Sequence, residues 1–363
     1  MLSVIPAAVR PFWVFCLSVM MLAFADGAEP VSLDWDVTET GTDASLRGLS
    51  AVDDRVVWAS GSNATVIRTD DGGKTWTSCG PKGFGDLEFR CVQAFDADVA
   101  CIASAGSPAV LLRTEDGGAS WRESYRASSP AAFFDMMRFW DERHGIAISD
   151  PVDGKLLVVE TGDGGRTWKR LTKGLPLSRK GEAAFAASNS SLLVGEQGQL
   201  WFGTGGCESE TSRLYHRSGW NADWTTVSVP IPSSQASGIF SVCVVPSSVA
   251  GEGSDTLVLV GGDYRASETS DVTACLSHDR GVTWRTVKTQ PAAFRSAVVA
   301  TPRGGAFPLG LITVGPFGSD FSRDGEEWDL MSQTGFHALA VGQTQVFASG
   351  SDGRFGRLIV VGD

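Results

Sequence analysis

The stretch TDDGGKTW at residues 69–76 returns as TEDGGASW at 114–121, TGDGGRTW at 161–168 and SHDRGVTW at 277–284, with a shortened SRDGEEW at 322–328. Its aspartates Asp71, Asp116 and Asp163 stand 45 and 47 residues apart, and Asp279 and Asp324 stand 45 apart. A fixed period in this range marks a repeat architecture, in which each unit is one supersecondary element stacked on the next. Every unit has the same grammar. An alternating strand such as Leu46 to Val52 is followed by an Asp-containing turn, then by a nearly all-apolar strand such as Val56 to Ala59. A glycine-rich bend, a third strand, the quoted phrase and a fourth strand opened by its Trp complete the unit. Four short antiparallel strands in this length make one propeller blade.

The gap between Asp163 and Asp279 accommodates two enlarged, degenerate blades, one from about Glu182 to Trp224 and one from Ile239 to Ser277. The chain end supplies three strands, and the orphan strand around Trp35 supplies the fourth. The expected fold is an all-β, seven-bladed β-propeller of four-stranded antiparallel blades over residues 30–363. Its N-terminal strand completes the last blade, which leaves no open sheet edge at the seam.

The phrase is a turn with structural work to do. Glycines take positive φ without steric cost, and an ionised Asp accepts backbone N–H bonds inside such a turn. Asp71, Asp116, Asp163, Asp279 and Asp324 are therefore read as structural. A catalytic site needs one constellation rather than five scattered copies.

The formal charge of −12 disfavours nucleic acid or an anionic membrane as partner. Arg10, the apolar run Phe12 to Phe24 and the Ala23-Phe24-Ala25 pattern read as a signal peptide over residues 1–25. The expected protein is exported, periplasmic or extracellular, with no integral membrane segment after signal removal. Six cysteines remain, spread without a C-x-x-C pair. They read mainly as buried thiols, although Cys91 and Cys101 flank a turn and could face each other. The four histidines have no ligand spacing and Gly251-Glu252-Gly253-Ser254 is not followed by a helical pattern, so no metal and no cofactor is expected.

The phrase resembles the Asp-box, or BNR repeat, of sialidase-type propellers. Over nearly the whole mature chain the pattern is similar to the photosystem II stability/assembly-factor-like propeller family, whose bacterial members are often labelled oxidoreductases. Segments carrying this resemblance include Ala132-Phe133-Phe134-Asp135, Ser149-Asp150-Pro151, Trp201-Phe202-Gly203-Thr204 and Gly261-Gly262-Asp263-Tyr264. It implies a protein-binding assembly or stability factor and, from the family name, a photosystem partner.

Loops that enter the first strand and join the second to the third lie on the face opposite the Asp-boxes, and loops on a rigid scaffold carry function. Aligned by apolar pattern, the starts of the first strands read Arg47, Arg90, Asp135, Ala183, Phe240, Arg295 and His337. The loops after the second strands add Asp150, Glu196, Asp263 and Tyr264. The expected binding set is Arg47, Arg90, Arg295, His337, Asp135, Asp150, Asp263 and Tyr264 around the channel mouth. Guanidinium forks there would grip an anionic protein or peptide. The structural alternative is that the arginines pair with Asp135, Asp150 or Asp263 and hold the ring. The sialidase comparison implies a second function, a glycoside hydrolase with an arginine clamp, Tyr264 and Glu196 as the nucleophile pair and Asp150 as acid. No complete catalytic set accompanies these residues, and the chain is read as non-enzymatic.

Overall fold

The computed structural model describes residues 32–207, 209, 211–250, 256–265 and 272–361. The expected signal peptide lies outside these residues. The described residues form seven four-stranded antiparallel sheets. Blade 1 runs Leu46–Ala51, Val57–Gly61, Val66–Thr69 and Thr77–Ser78 from the channel outward. The inner strands of blades 2 to 6 are Phe89–Ala94, Phe134–Phe139, Leu192–Val194, Ser237–Val244 and Ala297–Ala300. Blade 7 combines Ala338–Val341, Val346–Ser349 and Arg354–Val361 with the N-terminal strand Ser32–Glu39. That strand pairs antiparallel with the chain's last one, Trp35 opposite Leu358. The seam is closed as the orphan Trp implied.

Buried apolar clusters sit between adjacent blades. Trp58 and Val66 of blade 1 meet Phe89 and Ile102 of blade 2, and Leu46 and Ala59 meet Ala338 and Phe347 of blade 7. The repeated phrase supplies part of this glue. Asp71 Oδ1 accepts from Thr69 Oγ1 (2.8 Å), Lys74 N (3.0 Å) and Thr75 N (2.9 Å), while Oδ2 accepts from Thr75 Oγ1 (2.7 Å). The Thr283 hydroxyl and N–H hold the Asp279 carboxyl down at about 2, so it stays ionised. Gly73 has φ +91°, and a Cβ there would lie 2.3 Å from the Phe355 ring. The turn thereby brings Trp76 of blade 1 onto Phe355 of blade 7, centroids 4.9 Å apart. Trp121 of blade 2 meets Trp58 of blade 1 in the same way, at 6.3 Å.

All six cysteines among the described residues are free thiols, and five are buried. Gln93 pairs with Cys101 and Cys91 with Ala103, so the two sulfurs are not opposite each other in the hairpin. Burial pushes the Cys79 and Cys275 thiols up to about 12, which leaves them as small hydrophobes.

Candidate functional site

The face opposite the Asp-boxes is built around irregularities at the starts of the inner strands. Register shifts fall at Arg47, Arg90, Asp135 and Phe240, each an unpaired residue between two paired ones. A bulge re-aims the extra side chain. In blades 1 and 7 the residue before the mouth position donates its N–H to a glycine carbonyl of the preceding blade. Leu46 N reaches Gly350 O at 2.9 Å and Phe336 N reaches Gly315 O at 2.9 Å.

In blade 6 this donor is Arg295, whose N–H meets Gly261 O at 3.1 Å. The mouth position is therefore Ser296, and the expectation for Arg295 was off by one residue. Its side chain is 0% exposed and points into the blade, where Nε bonds Asp320 and Nη1 donates to Phe294 O at 3.1 Å. Arg295 is a buried ion-pair member, not part of the mouth.

Arg47, Arg90 and His337 do converge, on the neighbouring blades 1, 2 and 7. Arg90 pairs with Glu88 through Nε and Nη2, and its guanidinium lies over the Phe133 ring. Arg47 makes no hydrogen bond or ion pair among the described residues. Burial, then the like charge of Arg90, lowers its guanidinium to about 10, with Glu88 opposing. Arg47 remains charged at neutral pH. Burial, then Arg47, Arg90 and Arg354, pushes His337 down to about 3, so its imidazole is neutral there. Its Nε2 lies 2.9 Å from Ser351 Oγ.

Asp135 occupies the same ring level on blade 3. It is 1% exposed, and neither carboxyl oxygen meets a hydrogen-bond donor. Burial, then the adjacent Asp150 carboxylate, holds it well above the usual carboxylate range. Burial raises Asp150 to about 6, although its Oδ1 accepts from Ala184 N at 2.9 Å. Asp150 also lines a cleft of about 540 Å³ with Pro151, Lys180 and Gly181.

Both carboxyls titrate lower in the unfolded chain. Well below the ordinary value of 3.8 the two states hold the protons alike. As pH rises from there through about 6, the unfolded chain releases the Asp150 proton before the fold does, and stability falls. Asp150→Asn is expected to raise stability by up to about 3 kcal/mol near neutral pH and to change it little below about pH 3. Urea melts across that range read the difference.

The channel itself is closed by the chain. Ala183 is not the start of blade 4's inner strand, which begins at Leu192. The segment from Ala184 to Ser190 passes through the channel and contacts four other blades. Asn189 Oδ1 accepts from Met137 N of blade 3 (2.7 Å) and its Nδ2 points at Val92 O of blade 2 (3.5 Å). Ser188 Oγ donates to Ser296 O at the start of blade 6 (2.6 Å), and Ser190 Oγ meets Ser241 Oγ of blade 5 (2.8 Å). Arg90 Nη1 lies 3.5 Å from Ala186 O. The segment is anchored by Glu182, whose carboxylate accepts from Arg213 Nε (2.9 Å), Thr204 Oγ1 (2.6 Å) and Arg179 N (2.6 Å). Sequence reasoning passed over this plug because Ala183-Ala184-Phe185-Ala186-Ala187 reads as an apolar strand.

The same mistake misplaced Glu196. It lies in the short 3-10 turn Glu196–Gly198 between the first and second strands of blade 4. Trp220 N donates to Gln197 O at 3.1 Å. Gly72 N and Arg55 O make the equivalent bond in blade 1, between an Asp-box and the first interstrand turn. Glu196 is thus on the Asp-box face, away from Asp150, Asp263 and Tyr264. Asp263 Oδ1 accepts from Arg265 N at 2.8 Å, and Tyr264 is 42% exposed, with Arg265 over its ring at 5.7 Å.

Comparison with known proteins agrees with this architecture. Residues 28–130 match the family described as Photosynthesis system II assembly factor YCF48. No curated protein matches the chain. A solved structure of YCF48 bound to D1 peptide is similar over 92% of this chain and 99% of that one, with a TM-score of 0.63 and 17% identity. YCF48 from Cyanidioschyzon merolae covers 89% of this chain and 98% of its own, with a TM-score of 0.59 and 16% identity. Virginiamycin B lyase from Staphylococcus aureus covers 91% of this chain and 100% of its own, with a TM-score of 0.62 and 13% identity. At these identities the likeness of the solved structures shows the fold alone. By the sequence match at its N-terminal end and by its whole ring, the chain is similar to the photosystem II assembly-factor propellers.

Proposed function

We propose that this is an exported, non-enzymatic propeller that binds an anionic segment of a partner protein on the channel face, in the manner of an assembly or stability factor. The observation that carries the reading is the Arg47 guanidinium, half-buried beside Arg90 and His337 and without an ion pair among the described residues. A desolvated, unpaired guanidinium is costly in the free protein and is relieved by a carboxylate delivered to it. The related YCF48 bound to D1 peptide supports a peptide as the class of partner. Export rests on Arg10, the apolar run to Phe24 and Ala23-Phe24-Ala25. The hydrolase reading needs Glu196 beside Tyr264 and Asp150, and they do not share a face.

Affinity capture from the native envelope fraction tests the proposal. Wild-type protein is expected to retain a partner in low salt and to lose it as ionic strength rises. The Arg47→Ala/Arg90→Ala variant is expected to retain none while keeping the wild-type circular dichroism. Equal yields from variant and wild type would remove the reading.

A further inference from the structure

The basic arc has an apolar neighbour. Phe185 sits on the channel plug, one residue before the Ala186 carbonyl that Arg90 approaches. Its ring stacks on Phe240 at 4.3 Å and 16°. Phe240 in turn packs edge-on against Phe294 at 4.7 Å. Tyr264 stands edge-on to the stacked pair, 6.3 Å from Phe185 and 6.2 Å from Phe240. Phe240 and Phe294 are buried, Phe185 is partly exposed, and Tyr264 is the exposed end of the group.

The backbone is cut to fit this cluster. A Cβ on Gly238 would lie 2.6 Å from Phe185 Cε2, and one on Gly205 would lie 2.9 Å from it. Those two glycines pair in an isolated bridge between blades 4 and 5, and their bare Cα atoms are what admit the ring. The cluster also breaks the polarity of the mouth. The bulge position that carries Arg47, Arg90 and Asp135 on blades 1 to 3 carries Phe240 on blade 5.

We infer that Phe185 and Tyr264 form a subsite for an aromatic or large aliphatic side chain of the bound peptide, on the same face as the acidic group held by Arg47 and Arg90. This rests on the basic-mouth reading and narrows its partner to an acidic segment carrying such a residue. Charge complementarity commits the occupant. An apolar ledge on the same face as a guanidinium without an ion pair among the described residues is matched by a ligand with both features, and neither a purely acidic nor a purely apolar segment satisfies both. Edge-to-face contact with Tyr264 favours an aromatic ring over an aliphatic chain. Because the plug closes the channel, the peptide lies across the face and does not thread the ring.

Fluorescence anisotropy with fluorescein-labelled, eight-residue acidic peptides tests this. The peptides differ only in carrying Phe, Leu or Ala beside the acidic pair. Wild-type protein is expected to bind the Phe peptide about tenfold more tightly than the Ala peptide, with Leu between. Tyr264→Ala is chosen because the side chain is exposed and its loss spares the core. It is expected to bring the Phe peptide down to the affinity of the Ala peptide. Arg47→Ala is expected to weaken all three alike. Equal affinity of wild type for Phe and Ala peptides, or discrimination that survives in Tyr264→Ala, overturns the subsite and leaves the basic mouth standing. Failure of wild type to bind any of the peptides overturns the basic mouth, and the subsite with it.

Discussion

Asp320→Ala is expected to destabilise the protein by about 3–5 kcal/mol, among the largest effects of any single substitution. Asp320 and Arg295 are essentially solvent-free, 1% and 0% exposed at their side chains. Asp320 Oδ2 accepts from Arg295 Nε, and Oδ1 accepts from Ala292 N at 3.2 Å. Arg295 Nη2 already lacks a partner. Removing the carboxylate leaves a guanidinium charge in a low-dielectric interior with only the Phe294 carbonyl to satisfy it. The double variant Arg295→Met/Asp320→Leu is expected to lie within about 2 kcal/mol of wild type, because a buried pair is poorly compensated for its desolvation. Urea denaturation of the three proteins separates the cases. An Asp320→Ala protein as stable as wild type would mean that Arg295 reaches water, as the mouth assignment read from sequence required.

Trp35→Ala is expected to cost about 3–5 kcal/mol and to loosen the ring at its seam. The indole is buried, packs at 61° and 5.1 Å on Phe336, and donates from Nε1 to Ser319 Oγ of blade 6 at 2.9 Å. It therefore ties the first strand of the chain to the last two blades. Trp35→Phe keeps most of the packing and loses the hydrogen bond, for a smaller cost of about 1 kcal/mol. Hydrogen exchange should show the loss first at Leu358 and Arg357, which pair with Trp35 and Asp36. Unchanged protection there would mean that the seam does not depend on the indole.

The ring was legible because its determinants are local and repeated. TDDGGKTW states its glycine turn, its carboxylate acceptor and its interblade indole within eight residues, and the spacing between copies counts the blades. Trp35 could be assigned to blade 7 because it stands alone where every other such Trp follows a complete unit. The mouth was legible only where the alignment happened to cross a bulge correctly, as at Arg47 and Arg90. Apolar alternation has period two, so an extra residue at a bulge flips every assignment after it. In blade 6 the alignment slipped by one residue, and Arg295 and Ser296 exchanged roles. Blade 4 failed differently. Its Asp-box is replaced by Ser218-Gly219-Trp220, and the stretch before its inner strand is as apolar as a strand while serving as a channel plug. No pattern of period two or 3.6 distinguishes a segment buried in a channel from one buried in a sheet. Glu196 was lost to that ambiguity, and Phe185 was concealed by it.

The acidic pair Asp135 and Asp150 follows from the same geometry. A carboxyl placed at a bulge among arginines looks like a partner for them in sequence. In the fold Asp135 is buried, and that burial, then the neighbouring Asp150 carboxylate, holds it well above the usual carboxylate range. Among the described residues Arg47 makes no ion pair of its own, the Glu88 carboxylate that favours its charge being bonded to Arg90, and the face stays receptive to an external carboxylate.

Site-directed photo-cross-linking tests the central claim most directly. A benzoylphenylalanine at Tyr264 reports the channel face, and one at Trp220 reports the Asp-box face. Both positions are exposed. With partner captured from the envelope fraction, cross-linked product is expected from Tyr264 alone, and it is expected to disappear when Arg47→Ala is added. Product from Trp220, or product from Tyr264 that persists without Arg47, would contradict the account.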